Sequence, residues 1–152
     1  VAAAKESTST ATTHQIRRAR VAAIRLTGSR FVDLADAASD AEATTTSTSF
    51  QEKLSKSWDW GNAGNWLILT SCRLAGTSAS YSNEGRVQLD DSTVLAQPLR
   101  EPNDTTDYMQ GGCIDVRSLG TGTRRLDMDY RSENSGATAK IRTARLFALP
   151  LD

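Results

Sequence analysis

Arg124-Arg-Leu-Asp-Met-Asp-Tyr-Arg131 alternates apolar and charged residues almost without exception. Successive side chains of a β-strand point to opposite faces, so Leu126, Met128 and Tyr130 would line one face. Arg125, Asp127, Asp129 and Arg131 would line the other. The outward charges are of both signs, as on a solvated sheet surface, and the pattern predicts a strand with one buried face.

The same period runs through the neighbouring segments. From Trp66 to Leu74, Trp66, Ile68, Thr70, Cys72 and Leu74 share a face, and Leu67 and Leu69 predict burial on both sides at the start of that strand. Arg86-Val-Gln-Leu-Asp90 places Val87 and Leu89 inward. Thr93 to Leu99 reads as a short strand closed by Pro98. Tyr108 to Leu119 reads as a strand in which Gly111-Gly112 marks a bulge or a close backbone approach. Thr44 to Phe50 is rich in β-branched residues and continues through Leu54, with Phe50, Leu54, Trp58 and Trp60 in one phase. Turn chemistry separates these runs at Gly61–Asn65, Gly76–Asn83, Asp90-Asp91-Ser92, Gly120-Thr-Gly122 and Ser132–Gly136. With about eight strands and little helical pattern, the chain is predicted to be all-β, an antiparallel β-sandwich of jelly-roll type.

The last predicted strand has an echo. Lys140 to Leu151 and Gln15 to Leu26 are identical at six of twelve aligned positions, Ile16/Ile141, Arg17/Arg142, Ala19/Ala144, Arg20/Arg145, Ala23/Ala148 and Leu26/Leu151. The expected organisation is therefore an extended N-terminal arm and assembly strand over 1–30, a connector over 31–43 (short helix or loop), and the sandwich over 44–152. The assembly strand comprises Ile16, Arg17, Arg18, Arg20, Val21, Ile24 and Leu26. The closing strand it resembles carries Ile141, Arg145, Leu146, Phe147 and Leu149.

Composition narrows the function classes. The chain has 152 residues, 38% of them apolar, with 18 basic and 18 acidic side chains and no net charge. No global field draws it to nucleic acid or to an anionic membrane surface, and no partner of either kind is expected. No apolar run approaches the length of a membrane-spanning helix, and Val1-Ala-Ala-Ala-Lys-Glu lacks the apolar core of a signal peptide. Cys72 and Cys113 both fall in predicted strands and are either two small buried residues or a disulfide between adjacent strands.

Catalytic constellations are scarce. His14 is the one histidine, it precedes the Arg-rich strand, and no Gly-x-Ser-x-Gly elbow exists. Asp127 and Asp129 would suit a two-carboxylate mechanism only if they left an outer face shared with arginines. Asp90-Asp91 and Asn103-Asp104 with Asp107 offer oxygen ligands without the spacing of a calcium loop. The basic cluster Arg17, Arg18, Arg20, Arg25 and Arg30 is followed at once by Asp33, Asp36, Asp40 and Glu42, so pairing with carboxylates is expected. No enzyme activity, cofactor or metal is expected. Trp58, Trp60 and Tyr81 form the candidate aromatic platform for a glycan, with Trp66 assigned to the core.

The run from Trp66-Leu-Ile-Leu through Tyr130-Arg-Ser-Glu to Lys140-Ile-Arg-Thr-Ala-Arg-Leu-Phe-Ala-Leu resembles jelly-roll modules in structural proteins of tailed-bacteriophage virions, such as decoration, head-fibre, collar and tail-associated proteins. That resemblance implies a non-enzymatic assembly role in a virion, in homo-oligomers and beside other virion proteins. The alternative from another class is a carbohydrate-binding β-sandwich module using Trp58 and Trp60.

Overall fold

The computed structural model describes residues 35–61, 63–100, 105 and 107–151. Within them the chain forms two antiparallel sheets packed face to face, the expected jelly-roll-like β-sandwich. The strands are β1 (Ala35–Ser39), β2 (Ala43–Thr45), β3 (Gln51–Trp60), β4 (Gly64–Gly76), β5 (Asn83–Leu89), β6 (Thr93–Ala96), β7 (Leu99–Arg100), β8 (Met109–Gly111), β9 (Ile114–Leu119), β10 (Gly122–Ser132) and β11 (Ala139–Pro150). The six-stranded sheet runs β1-β11-β4-β8, with β2 also on β11 and β9 also on β4. The five-stranded sheet runs β3-β10-β5-β6, with β7 also on β5.

The alternating runs fill the space between the sheets. Trp66, Ile68, Cys72 and Leu74 of β4 and Ile141, Ala144, Leu146 and Ala148 of β11 meet Val87 and Leu89 of β5 and Leu126, Met128 and Tyr130 of β10. Ile68, Leu74, Met128 and Ile141 have no exposure at all. Each such side chain contributes roughly 1.5–3 kcal/mol by leaving water.

Three irregularities reset the phase; the alternation leaves those in β11 and β3 unmarked, whereas Gly111-Gly112 marks the third. In β11 the pairing with β4 slips between Arg142 and Arg145, and Thr143 adopts a positive φ of 51°. This bulge lets both Ile141 and Leu146, of opposite parity, face the core, and it turns Arg145, Phe147 and Leu149 to the other side. Leu149 lies there opposite Leu67, and both are buried at 1% and 5% exposure. Burial on both sides of early β4 is thus present, as expected. In β3 the register against β10 slips between Leu54 and Glu52, so Phe50 leaves the phase it was expected to share with Leu54, Trp58 and Trp60.

The third break splits the strand expected over Tyr108–Leu119 into β8 and β9. Gly112 has φ 138°, and a Cβ there would collide with the Thr70 carbonyl oxygen. Gly111-Gly112 is therefore the close backbone approach that the doublet suggested. The stretch expected to be a connector instead carries β1 and the first residue of β2, both strands paired with β11. The extended run expected from Thr44 onward is interrupted at 46–50, where the chain crosses from one sheet to the other. The arm and its assembly strand (Ile16, Arg17, Arg18, Arg20, Val21, Ile24, Leu26) lie outside the described residues, as does His14.

Cys72 and Cys113 form no disulfide. Cys72 faces Gly111 across the β4–β8 pair, whereas the Cys113 amide donates to Thr70 Oγ1 at 2.9 Å, two residues back along β4. The two thiols are offset along the sheet rather than opposed, which corrects the disulfide alternative. Burial pushes the Cys113 thiol above its ordinary pKa, the Thr70 hydrogen bond opposing that shift.

Gly112→Ala combines a forbidden backbone conformation with a collision against main chain. It is expected to cost at least about 2 kcal/mol and to lower the melting temperature by several degrees. Thermal unfolding followed by circular dichroism checks this, and an unchanged midpoint would show that the β8–β9 break relaxes freely.

Candidate functional site

The outer face of the five-stranded sheet is a grid of charges set by strand register. Asp129 of β10 is opposite Arg86 of β5, and Arg131 is opposite Glu84. Arg86 Nη2 reaches Asp129 Oδ2 at 2.7 Å, and Arg131 Nη2 reaches Glu84 Oε2 at 2.5 Å. Phe50, released outward by the β3 bulge, lies under both guanidinium groups, 3.9 Å from that of Arg86 and 4.6 Å from that of Arg131. Such stacking orients the planar groups and holds them flat against the sheet.

Further along β10, Arg125 serves three carboxylates. It meets Glu52 at 2.5 Å, Asp127 at 2.8 Å and Asp91 at 3.1 Å. Asp90 and Asp91 both have positive φ in the β5–β6 turn, which carries Asp91 back over the sheet. Asp90 accepts from Arg124 Nη1 and from the Arg125 amide. The outer face is drier than alternation implied: Asp127 and Asp129 are only 3% and 7% exposed, covered by their arginine partners. Burial first, and then the adjacent Asp91 carboxyl, push Asp127 up to about 7 against the opposing pull of Arg125. Among the described residues, no group of three or more His, Cys, Asp or Glu is placed to hold a metal ion.

The glycan platform inferred from sequence is not assembled. Trp58 is opposite Arg124 and packs, half-buried, against the core. Trp60 is opposite Gly122, at the end of β10 remote from the β4–β5 loop that carries Tyr81. Asn83, where that loop ends, pairs with Ser132 at the far end of β10. Gly122 and Ser132 are the two ends of β10, ten residue steps or about 33 Å apart.

The Tyr81 end holds a different arrangement. A cleft of about 310 Å³ is lined by Thr48, Glu84, Arg131, Ser132 and Glu133. Arg131 is fixed from two directions, donating through Nε to Glu84 Oε2 at 2.6 Å and through Nη1 to the Thr48 carbonyl at 3.2 Å. Gln97 donates to the other Glu84 oxygen. The Ser82 amide donates to Glu133 Oε2 at 2.8 Å, and the Glu133 amide returns a bond to the Ser82 carbonyl at 3.1 Å. These bonds tie the loop carrying Tyr81, 39% exposed, beside the cleft wall. Sequence reading recognised Tyr81 and the outward position of Arg131. It missed Glu84 and Glu133, which reach the cleft only through the β5–β10 register and the Ser82 bonds.

No family model and no curated protein sequence matches the chain. Among solved structures, it is similar to a family 35 carbohydrate binding module from an environmental isolate, at 16% identity and a TM-score of 0.36, covering 80% of this chain and 90% of that one. It is also similar to the C-terminal CBM6 of LamC from Zobellia galactanivorans, at 16% identity and a TM-score of 0.32, covering 72% and 99%. A cycloisomaltooligosaccharide glucanotransferase from Paenibacillus sp. is 15% identical with a TM-score of 0.32, over 78% of this chain and 17% of that one. Similarity at this level says nothing of what this chain binds.

Asp127 yields a pH prediction. Its carboxyl titrates near 7 in the folded chain and near 3.9 when unfolded. The folded state therefore holds a proton that the unfolded state releases between these values, and stability from this group falls as pH rises through that window. Asp127→Asn is expected to leave stability little changed near pH 4, at the foot of this window, and to raise it by about 1 kcal/mol or more near pH 8. Denaturant melts of both proteins at the two pH values measure this. An equal difference at both would mean that Asp127 titrates as an ordinary carboxylate.

Proposed function

We propose that the chain is a non-catalytic β-sandwich module that binds carbohydrate in the cleft of Thr48, Glu84, Arg131, Ser132 and Glu133. The observation carrying this reading is the rigid Arg131–Glu84 pair with Glu133 in the same cleft, Glu133 being bonded through Ser82 to the loop that carries the exposed Tyr81. Sugar hydroxyls both donate and accept, so a guanidinium beside carboxylates meets them with complementary partners. The apolar face of a sugar ring stacks on an aromatic side chain, which Tyr81 supplies at the rim. Because Arg131 is already held by Glu84, Thr48 and Phe50, little ordering entropy is lost on binding.

A glycan array followed by calorimetry on the best ligand tests this. Tyr81→Ala and Glu133→Gln are each expected to weaken binding at least about tenfold, a loss of about 1.4 kcal/mol, with the fold intact by circular dichroism. An array without binding, or variants that bind like the parent, would sink the proposal.

A second reading, as an assembly subunit of a virion, draws support from the place of β11. That strand is paired on both sides, by β1 and β2 on one and β4 on the other. A sequence repeating its pattern at Gln15–Leu26 is thus suited to a sheet interior, including that of a neighbouring copy. Deleting residues 1–26 is expected to leave a folded chain of lower oligomeric order by size-exclusion chromatography with light scattering. An unchanged oligomer would count against strand exchange.

A further inference from the structure

We infer that β9 is a self-complementary docking edge and that its partner is β9 of a second copy, added antiparallel to extend the six-stranded sheet across both chains. This surface is separate from the cleft.

Among the described residues, β9 is paired on one side only, by β4. The Cys113 carbonyl accepts from the Thr70 amide at 2.9 Å, so residue 113 turns its polar groups toward β4. The Val116 amide instead donates to its neighbour Asp115 Oδ1 at 2.9 Å. The alternation of an antiparallel ladder then places the main-chain groups of Ile114, Val116 and Ser118 on the free edge.

That edge is poorly guarded. Ile114 and Val116 are 66% and 53% exposed, among the most exposed large apolar side chains described. They continue the apolar rows of Leu69 and Leu67, their opposite residues on β4. The edge strand β3 of the other sheet, by contrast, carries Glu52, Lys53, Lys56 and Asp59, the sort of charge that discourages edge pairing. β9 has one charge of each sign, Asp115 and Arg117, joined within the chain at 2.7 Å.

Charge complementarity selects the occupant. In a two-fold pairing centred on Val116, the edge groups of Val116 meet those of the second Val116, and Ile114 meets Ser118. Asp115 then stands opposite Arg117 of the other copy, and Arg117 opposite its Asp115. The Val116 amide exchanges a side-chain acceptor for a main-chain carbonyl. The internal Asp115–Arg117 pair is replaced by two pairs between copies, and Ile114 and Val116 of both chains share one face.

Sedimentation equilibrium over a concentration series tests the pairing. The full chain is expected to dimerise reversibly. Asp115→Arg and Arg117→Asp should each weaken self-association at least about tenfold by opposing like charges. An equimolar mixture of the two variants should recover a dimer, because a strand with two arginines then faces a strand with two aspartates, and every opposed pair is again of opposite sign. Recovery on mixing also shows that both variants are folded. A monomeric parent, variants that dimerise like the parent, or a mixture that stays monomeric would each overturn the inference. Association of the parent only with a different protein would overturn it too.

Discussion

The sandwich depends on the apolar layer in which the middle strands of its two sheets meet. β4 and β11 supply one side and β10 and β5 the other, and the large apolar side chains with no exposure, Ile68, Leu74, Met128 and Ile141, come from three of them. Each strand must keep the correct phase to place its apolar residues in that layer, since a slip of one residue would turn every one of them outward. The bulge at Thr143 satisfies this requirement in β11. It spends one residue to bring Ala144, Leu146 and Ala148 back into register with the core after Ile141.

What the core fixes, the outer faces inherit. With β10 held by its inward residues, Arg125, Asp127, Asp129 and Arg131 have no choice of side, and their partners follow from register with β3 and β5. The result is a sheet surface on which arginines cover carboxylates closely enough to exclude water from Asp127. The arrangement also keeps Arg131 and Glu84 rigid at the end of the sheet, where the loops after β4 and β10 close the cleft. A similar logic applies to β9. Its inward-turned groups are taken by β4, and what remains, among the described residues, is an open edge with apolar residues on one face and a balanced charge pair on the other.

The legibility of the chain follows the same division. The alternation in Arg124–Arg131 and Trp66–Leu74 was sufficient to predict strands, their buried faces and the sandwich, because period-two patterning reports a local demand for burial on one side. The Gly111-Gly112 doublet likewise announced a close approach. The bulges in β3 and β11 left no such mark. Phe50 looked in phase with Leu54 and Trp58, and the stretch before Thr44 had too few β-branched residues to advertise β1, whose place is determined by its pairing with β11.

By itself, then, the sequence determined the strand periodicity, the choice of core residues in the central strands and the absence of a net field. It did so because each is a property of neighbouring residues or of the sum of charges. Only the tertiary structure decided that Trp58 belongs against the core and remote from Tyr81, that Cys72 and Cys113 are offset, and that Glu84, Arg131 and Glu133 share a cleft. Those relations join residues far apart in the chain through strand register and phase, and a single inserted residue at a bulge is enough to change them.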